Sequence, residues 1–212
     1  MIVLFIESII MIIKDIILVR EPSLTFFKAI LSVVSYVYGM TYKEFYGTDY
    51  DKFKKVLDSV LNTIHSSSLV CIQYTTSRIK SPESVLEKIG NDYSLLHDII
   101  GVRIICSFVD EIYQVKDWIL SCFEVVEVRD YLIHPKPSGY RSLHMIVKVD
   151  GCLVEIQVRT IALDFWANLE HQIHYKKDIE DEELIRSELK RCADEIASLD
   201  LSFQTIKDRI EG

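Results

Sequence analysis

The sequence predicts an α/β (α+β) domain, a mixed central sheet of about five strands flanked by helices, with helical extensions at both ends. Three observations predict it. Gly101 to Phe108 is a β-branched apolar run of the kind that forms a central strand. Asp150-Gly151 separates two further strand-like runs and is a hairpin signal, because Asp and Gly tolerate the positive φ of a two-residue turn. Between and around these runs, apolar residues recur at helical spacing. The expected division is an apolar helical extension over 1–48, a central domain over 49–177 and an amphipathic helical extension over 178–212.

Residues Met1 to Val19 are mostly Ile, Leu, Val, Met and Phe, and Leu24 to Met40 is a second apolar run containing Lys28. No early positive charge or small-residue cleavage site marks a signal peptide. Glu7, Lys14 and Asp15 interrupt the ~18 apolar residues that a membrane span requires. Buried helices or a partner interface are therefore expected here, rather than membrane association. Pro22 and Ser23 break the two runs, with Ser23 as an N-cap. Thr48 or Asp49 caps a helix over Asp51 to His65, where Tyr50, Phe53, Val56, Leu57, Val60, Leu61 and Ile64 fall at helical spacing.

Leu69 to Tyr74 reads as a short extended piece. Ser81 as N-cap and Pro82 at the first helical position start a helix that runs to about Ile89 and stops at Gly90-Asn91. After the strand at Gly101 come a helix over Val109 to Cys122, a strand over Phe123 to Arg129, and a loop between Pro135 and Gly139. Strands Ser142 to Val149 and Cys152 to Arg159 form the hairpin. Its turn sets Val149 opposite Cys152, Ile146 opposite Glu155 and His144 opposite Gln157. His144, Glu155, Gln157 and Arg159 then share one face, and Cys152, Val154, Ile156 and Val158 face the core. Ile161 to Lys177 is helical, and Asp178 to Gly212 is a charged amphipathic helix or a pair of helices.

The formal net charge of −8 argues against a broad DNA or RNA surface, so any polyanion site must be a local basic cluster. The five cysteines form no CxxC pair and read as small buried hydrophobes in a reducing cytoplasm. His97-Asp98 spells the dipeptide of metal-dependent phosphohydrolases, but His65 is the sole histidine before it, and the dipeptide alone carries little weight.

Glu155 sits mid-strand between Val154 and Ile156. It is either part of an exposed, salt-bridged sheet face or a general base and metal ligand in a cleft. Asp98 lies just before the central strand, where α/β sheets place ligands, and is otherwise a loop or capping aspartate. Together the two carboxylates suit Mg²⁺, which takes one or two carboxylates plus substrate phosphates. Arg78, Lys80, Lys88 and Arg103 are either a solvated charge run or the basic counterpart of those carboxylates, near a helix start that favours phosphate. Tyr140 follows a loop glycine and either packs in the core, as a tyrosine at such a position commonly does, or stacks on a purine base. Asn168, His171 and Tyr175 share a helix face, where an amide can read a base edge.

Three segments resemble the small alarmone synthetases, the stand-alone members of the family that makes guanosine tetra- and pentaphosphate. They are Ser77-Arg78-Ile79-Lys80-Ser81-Pro82-Glu83-Ser84 with Lys88, then Asp98-Ile99-Ile100-Gly101-Val102-Arg103, and a long segment from Glu127 through His134-Pro135-Lys136-Pro137-Ser138-Gly139-Tyr140-Arg141-Ser142-Leu143-His144 and Val154 to Thr160, continued by Trp166 to His171. The resemblance covers Leu69 to Lys177 and implies a nucleotidyltransferase-like synthetase fold over the central domain. It also implies transfer of the β,γ-pyrophosphate of ATP to the 3′-oxygen of GDP or GTP, releasing AMP, with Mg²⁺ as cofactor. Carried over, Asp98 and Glu155 are catalytic and bind the metal. Arg78, Lys80, Ser84, Lys88, Arg103 and Tyr131 fall to ATP. Arg129, Lys136, Tyr140, His144, Gln157, Asn168 and His171 fall to the guanine nucleotide.

Two departures stand out: Arg129 where lysine is common before Asp-Tyr, and Ser138 where asparagine is common. The 212 residues leave no room for a hydrolase domain, so synthesis without hydrolysis is expected. The resemblance further implies a cytoplasmic homo-oligomer, a tetramer joined by terminal helices. The alternatives are a toxin-like relative that pyrophosphorylates the 3′ CCA end of tRNA, against which the acidic charge speaks, and a silent binding module, against which the paired Asp98 and Glu155 speak.

Overall fold

The computed structural model describes residues 41–88, 96–174 and 181–212. The predicted N-terminal helices, the Gly90-Asn91 stop and Tyr175 lie outside them. The chain divides into two units, residues 1–52 with 80–95 and residues 53–79 with 96–212.

In the first unit, α1 spans Tyr42–Tyr46 and opens on a capping box, in which Thr41 Oγ1 accepts from Glu44 N–H and Glu44 Oε2 accepts from Thr41 N–H. Helix α2 begins here and spans Asp49–His65. Helix α3 spans Pro82–Lys88, with Ser81 Oγ accepting the Ser84 amide at 3.3 Å, as the Ser-Pro start predicts. The Tyr46 hydroxyl donates to the Lys80 carbonyl at 2.7 Å, tying α1 to the residue that leads into α3.

The second unit holds strands β1 (Ile72–Ile79), β2 (Ile100–Cys106), β3 (Glu124–Asp130), β4 (Leu143–Val149) and β5 (Cys152–Thr160), in the order β1-β2-β5-β4-β3. Strands β2 and β5 run parallel, and the other pairs are antiparallel, so the sheet is mixed as expected. Helix α4 (Val109–Cys122) connects β2 to β3, α5 (Ile161–His174) follows β5, and α6 (Glu182–Glu211) follows α5.

Strand β1 differs from expectation. It begins at Ile72 and runs to Ile79, well beyond Tyr74. The polar Thr75-Thr76-Ser77-Arg78 run hides it in the sequence, yet an edge strand tolerates polar side chains and the β2 ladder satisfies its backbone. The C-terminal segment resolves to one 30-residue helix. No Gly or Pro breaks it, and the i,i+4 pairs Glu182–Arg186, Lys190–Asp194 and Arg191–Glu195 support it.

The β4–β5 hairpin has the predicted register, with Val149 paired to Cys152, Ile146 to Glu155 and His144 to Gln157. Asp150 and Gly151 adopt φ of 48° and 74°, the two positive values of a type I′ turn. One sheet face carries Val102, Ile104, Met145, Val147, Val154, Ile156 and Val158, all buried against Ile112, Val115 and Ile119 of α4 and Val56, Val60 and Ile64 of α2. This core fixes the sheet, and the register then decides what the opposite face displays. Among the described residues no helix is long and apolar enough to cross a membrane.

Candidate active site

Two neighbouring rungs of the sheet carry the polar residues. One runs Thr76, Arg103, Gln157, His144, Arg129 across all five strands; the next runs Arg78, Gly101, Glu155, Ile146, Glu127. Paired residues share a face, so both rungs present their side chains away from the core. Gly101 has no side chain between Arg78 and Glu155 in its rung. A Cβ there would reach 3.7 Å from Arg78 Cγ, on the floor of the cleft.

That cleft encloses about 190 Å³. Thr76, Ser77 and Arg78 line it from β1, Gly101, Val102 and Arg103 from β2, Glu155 and Gln157 from β5, and Asp98 from the turn before β2. The predicted pair Asp98 and Glu155 thus meets with Arg78 and Arg103 inside one unit. Lys80, Ser84 and Lys88 belong to the first unit.

Beside the cleft, Glu155 is held on both oxygens. His144 Nδ1 lies 3.1 Å from Oε1, and Gln157 Nε2 donates to Oε2 at 2.7 Å. Burial and the nearby Asp98 charge push its carboxyl up, but the His144 and Gln157 hydrogen bonds outweigh them and hold it below the ordinary value. Burial lowers the His144 imidazole, against the upward pull of Glu155. At neutral pH, Glu155 is therefore ionised and His144 neutral. The carboxylate must accept from His144 Nδ1–H, which leaves Nε2 to accept from the Tyr140 hydroxyl at 2.7 Å. Tyr140 Oη in turn accepts from Arg159 Nη2, which also donates to Gln157 Oε1 at 2.7 Å.

An aromatic group continues from this chain. Tyr131 meets His144 edge-on at 5.1 Å, and Lys136 Nζ lies 4.9 Å from the ring centroids of both Tyr131 and Tyr140. Tyr131, expected with the ATP residues, is thus placed with Lys136, Tyr140 and His144. Arg129 reaches Glu127 with two hydrogen bonds of 2.6 and 2.7 Å. Asn168 bonds Arg103 Nη1 at 3.3 Å, while His171 is exposed one turn further along α5.

Helix α6 supports the loop that carries Tyr140. Gly139 has φ +88°, and a Cβ there would lie 2.6 Å from Ala193 Cβ, so only glycine lets loop and helix approach so closely. Arg141 donates to the Gly139 carbonyl and to Asp194 Oδ1, both at 2.9 Å. Trp166 Nε1 donates to the Leu189 carbonyl at 2.9 Å, and Trp166, Ala167 and Ala193 form a small core against Tyr140.

Arg159 and Asp164, both buried, join these groups although no sequence-based role falls to either. Arg159 shows itself in the sequence through the hairpin alternation, which puts it on the Glu155 face. Asp164 reads merely as an acid in the first turn of a helix, and its partners come from three other elements.

The two carboxylates of Asp98 and Glu155, lining one cleft, fit Mg²⁺, which takes one or two carboxylates beside substrate phosphates. An all-protein cage is not what this ion uses beside phosphates.

Known proteins are similar to this chain in sequence and fold. Residues 77–180 match a region found in RelA / SpoT proteins. GTP pyrophosphokinase YwaC of Bacillus subtilis (strain 168) is 39% identical over 176 residues, which span 74% of this chain and 82% of that protein. GTP pyrophosphokinase YjbM of the same organism is 38% identical over 156 residues, 66% of this chain and 74% of that one. The crystal structure of small alarmone synthetase 1 from Bacillus subtilis bound to its product pppGpp matches with a TM-score of 0.67 at 30% identity, covering 76% of this chain and 95% of that one. With its mixed sheet, its cleft and these relatives, the chain belongs to the RelA/SpoT family, among the small alarmone synthetases.

Proposed function

We propose that this enzyme is a GTP pyrophosphokinase. It transfers the β,γ-pyrophosphate of ATP to the 3′-oxygen of GDP or GTP, giving ppGpp or pppGpp and AMP. The observation that carries the reading is Glu155: an ionised, half-buried carboxylate that faces Asp98, Arg78 and Arg103 on one side and is hydrogen-bonded to the His144–Tyr140 chain on the other.

In this reading the 3′-hydroxyl gives its proton to Glu155 as its oxygen attacks the β-phosphorus. The bond from that phosphorus to the α,β-bridging oxygen breaks, and AMP leaves with the electron pair. Arg78 and Arg103 hold the donor phosphates and offset the charge that develops on them. Tyr140 stacks on guanine, and Lys136, His144, Gln157 and Asn168 line the acceptor side. Asp98 and Glu155 would hold Mg²⁺, which neutralises phosphate charge when bound. Positioning supplies most of the rate in such transfers, and the rigid two-rung arrangement suits that.

A cytoplasmic setting follows from these substrates and suits five unpaired cysteines. A homotetramer is supported by Leu199, Phe203, Ile206 and Ile210, exposed apolar residues at helical spacing on α6. Light scattering after size exclusion tests it. Two relatives matched over most of their own length are named GTP pyrophosphokinases, which favours a guanine nucleotide over a tRNA acceptor. The deciding assay uses γ-labelled ATP with Mg²⁺ and offers GDP, GTP, GMP and bulk tRNA separately. Label on a guanine nucleotide is expected, and label on tRNA alone would overturn the reading.

A further inference from the structure

We propose that Asp164 is a positioning residue for the donor nucleotide, acting through Arg103. The inference rests on the assignment of the cleft to ATP. Asp164 sits in the first turn of α5 and is 5% exposed. Its Oδ1 receives Arg103 Nη1 at 3.0 Å and Arg159 Nη1 at 3.1 Å. Its Oδ2 receives Asn168 Nδ2 at 3.0 Å and the Tyr74 hydroxyl at 3.5 Å. One buried carboxylate therefore stands between two guanidiniums that repel each other, and both of its oxygens are in use.

The consequence falls on Arg103. Arg159 has other anchors, Ser142 Oγ at 3.3 Å, Gln157 and Tyr140, which keep its fork in place. Arg103 lines the cleft, and its Nη1 bonds both Asp164 Oδ1 and Asn168 Oδ1. Its Nε is buried without a hydrogen-bond partner among the described residues. A cleft-lining guanidinium tied at one nitrogen is oriented to receive an oxygen anion, and its unmet Nε is a buried donor that the described residues leave unsatisfied. Asp164 supplies the tie, and it also supplies the negative charge that keeps Arg103 beside Arg159. Asn168, bonded to both residues, ties the acceptor wall to the same anchor.

The test is a double-mutant cycle read on binding rather than turnover. The probe is a non-hydrolysable ATP analogue with methylene between the α and β phosphorus atoms, titrated with Mg²⁺ by calorimetry. The proteins are the full chain, Arg103→Ala, Asp164→Asn and the double variant. Loss of a charge-assisted bond predicts that Asp164→Asn weakens the analogue roughly ten- to hundred-fold. If Asp164 acts through Arg103, adding Asp164→Asn to Arg103→Ala costs nothing further. Asp164→Glu, which keeps the charge but moves the oxygens, should fall between wild type and Asp164→Asn, and it replaces the latter in the cycle if Asp164→Asn does not fold. Additive losses, or unchanged affinity in Asp164→Asn, would overturn the role of Asp164 while leaving the cleft's assignment standing. A wild-type chain that does not bind the analogue would overturn the assignment and the inference with it.

Discussion

His144 Nδ1 lies 3.1 Å from Glu155 Oε1 across the β4–β5 pair, a diagonal contact two residues from the direct partner Gln157. The contact gives the imidazole a defined tautomer and orients the carboxylate toward the cleft. It also joins the carboxylate to the Tyr140 hydroxyl through two hydrogen bonds. Several consequences can be measured.

Glu155→Gln keeps the shape of the side chain and removes its basicity. The expected loss in kcat is about 10²- to 10⁴-fold, with a native circular-dichroism spectrum. Because the folded protein holds the Glu155 carboxyl below its ordinary value, the wild-type rate should persist as the pH falls into the ordinary carboxylate range. Full activity in the amide variant would remove Glu155 from the reaction.

The His144 imidazole is lowered by burial, so the folded chain binds fewer protons than the unfolded chain as the pH falls past the ordinary value of ~6.5. That stability is present above the unfolded value and is lost as the pH falls toward the folded one. Thermal melts from about pH 8 to about pH 5 should therefore show the advantage of wild type over His144→Gln shrinking in the acid half. Parallel curves would mean that His144 does not titrate in this way.

Tyr140→Phe removes one hydroxyl and strands two buried groups, His144 Nε2 and one Arg159 Nη2 proton. A cost of about 1–3 kcal/mol is expected in urea unfolding. The ring remains, so the acceptor KM should move far less than in Tyr140→Ala. Equal effects of the two substitutions on KM would argue against stacking.

Gly139→Ala forces a Cβ to within 2.6 Å of Ala193 Cβ at φ +88°. The backbone strain alone costs about 1–3 kcal/mol. Displacement of the Tyr140 loop from α6 should raise the acceptor KM and leave the donor KM nearly unchanged. Adding Ala193→Gly relieves the clash but not the φ, so rescue should be partial. An unchanged acceptor KM in Gly139→Ala would show that α6 does not position this loop.

Much of this arrangement is legible in one dimension because it rests on local rules. Asp150-Gly151 sets a two-residue turn, a turn of that length sets register, and a period of two then assigns every hairpin side chain to a face. Glu155, Gln157, His144 and Arg159 were readable together for that reason. The Ser81-Pro82 helix start is equally local. Strand β1 was not, because Thr75 to Arg78 has no apolar alternation and becomes a strand through its pairing with β2.

Local sequence sufficed for the helix starts at Pro82, Val109 and Ile161, the hairpin register and the face that carries the carboxylate. Each depends on residues close along the chain, where stereochemistry leaves few choices. The tertiary structure alone decided that Asp164 binds Arg103 and Arg159, that Tyr131 joins Tyr140 and His144, and that Ala193 closes on Gly139. Those meetings depend on the parallel pairing of β2 with β5 and on the docking of α6. Such long-range contacts form because the opposite sheet face buries one apolar core, and no local pattern of charge or period encodes them.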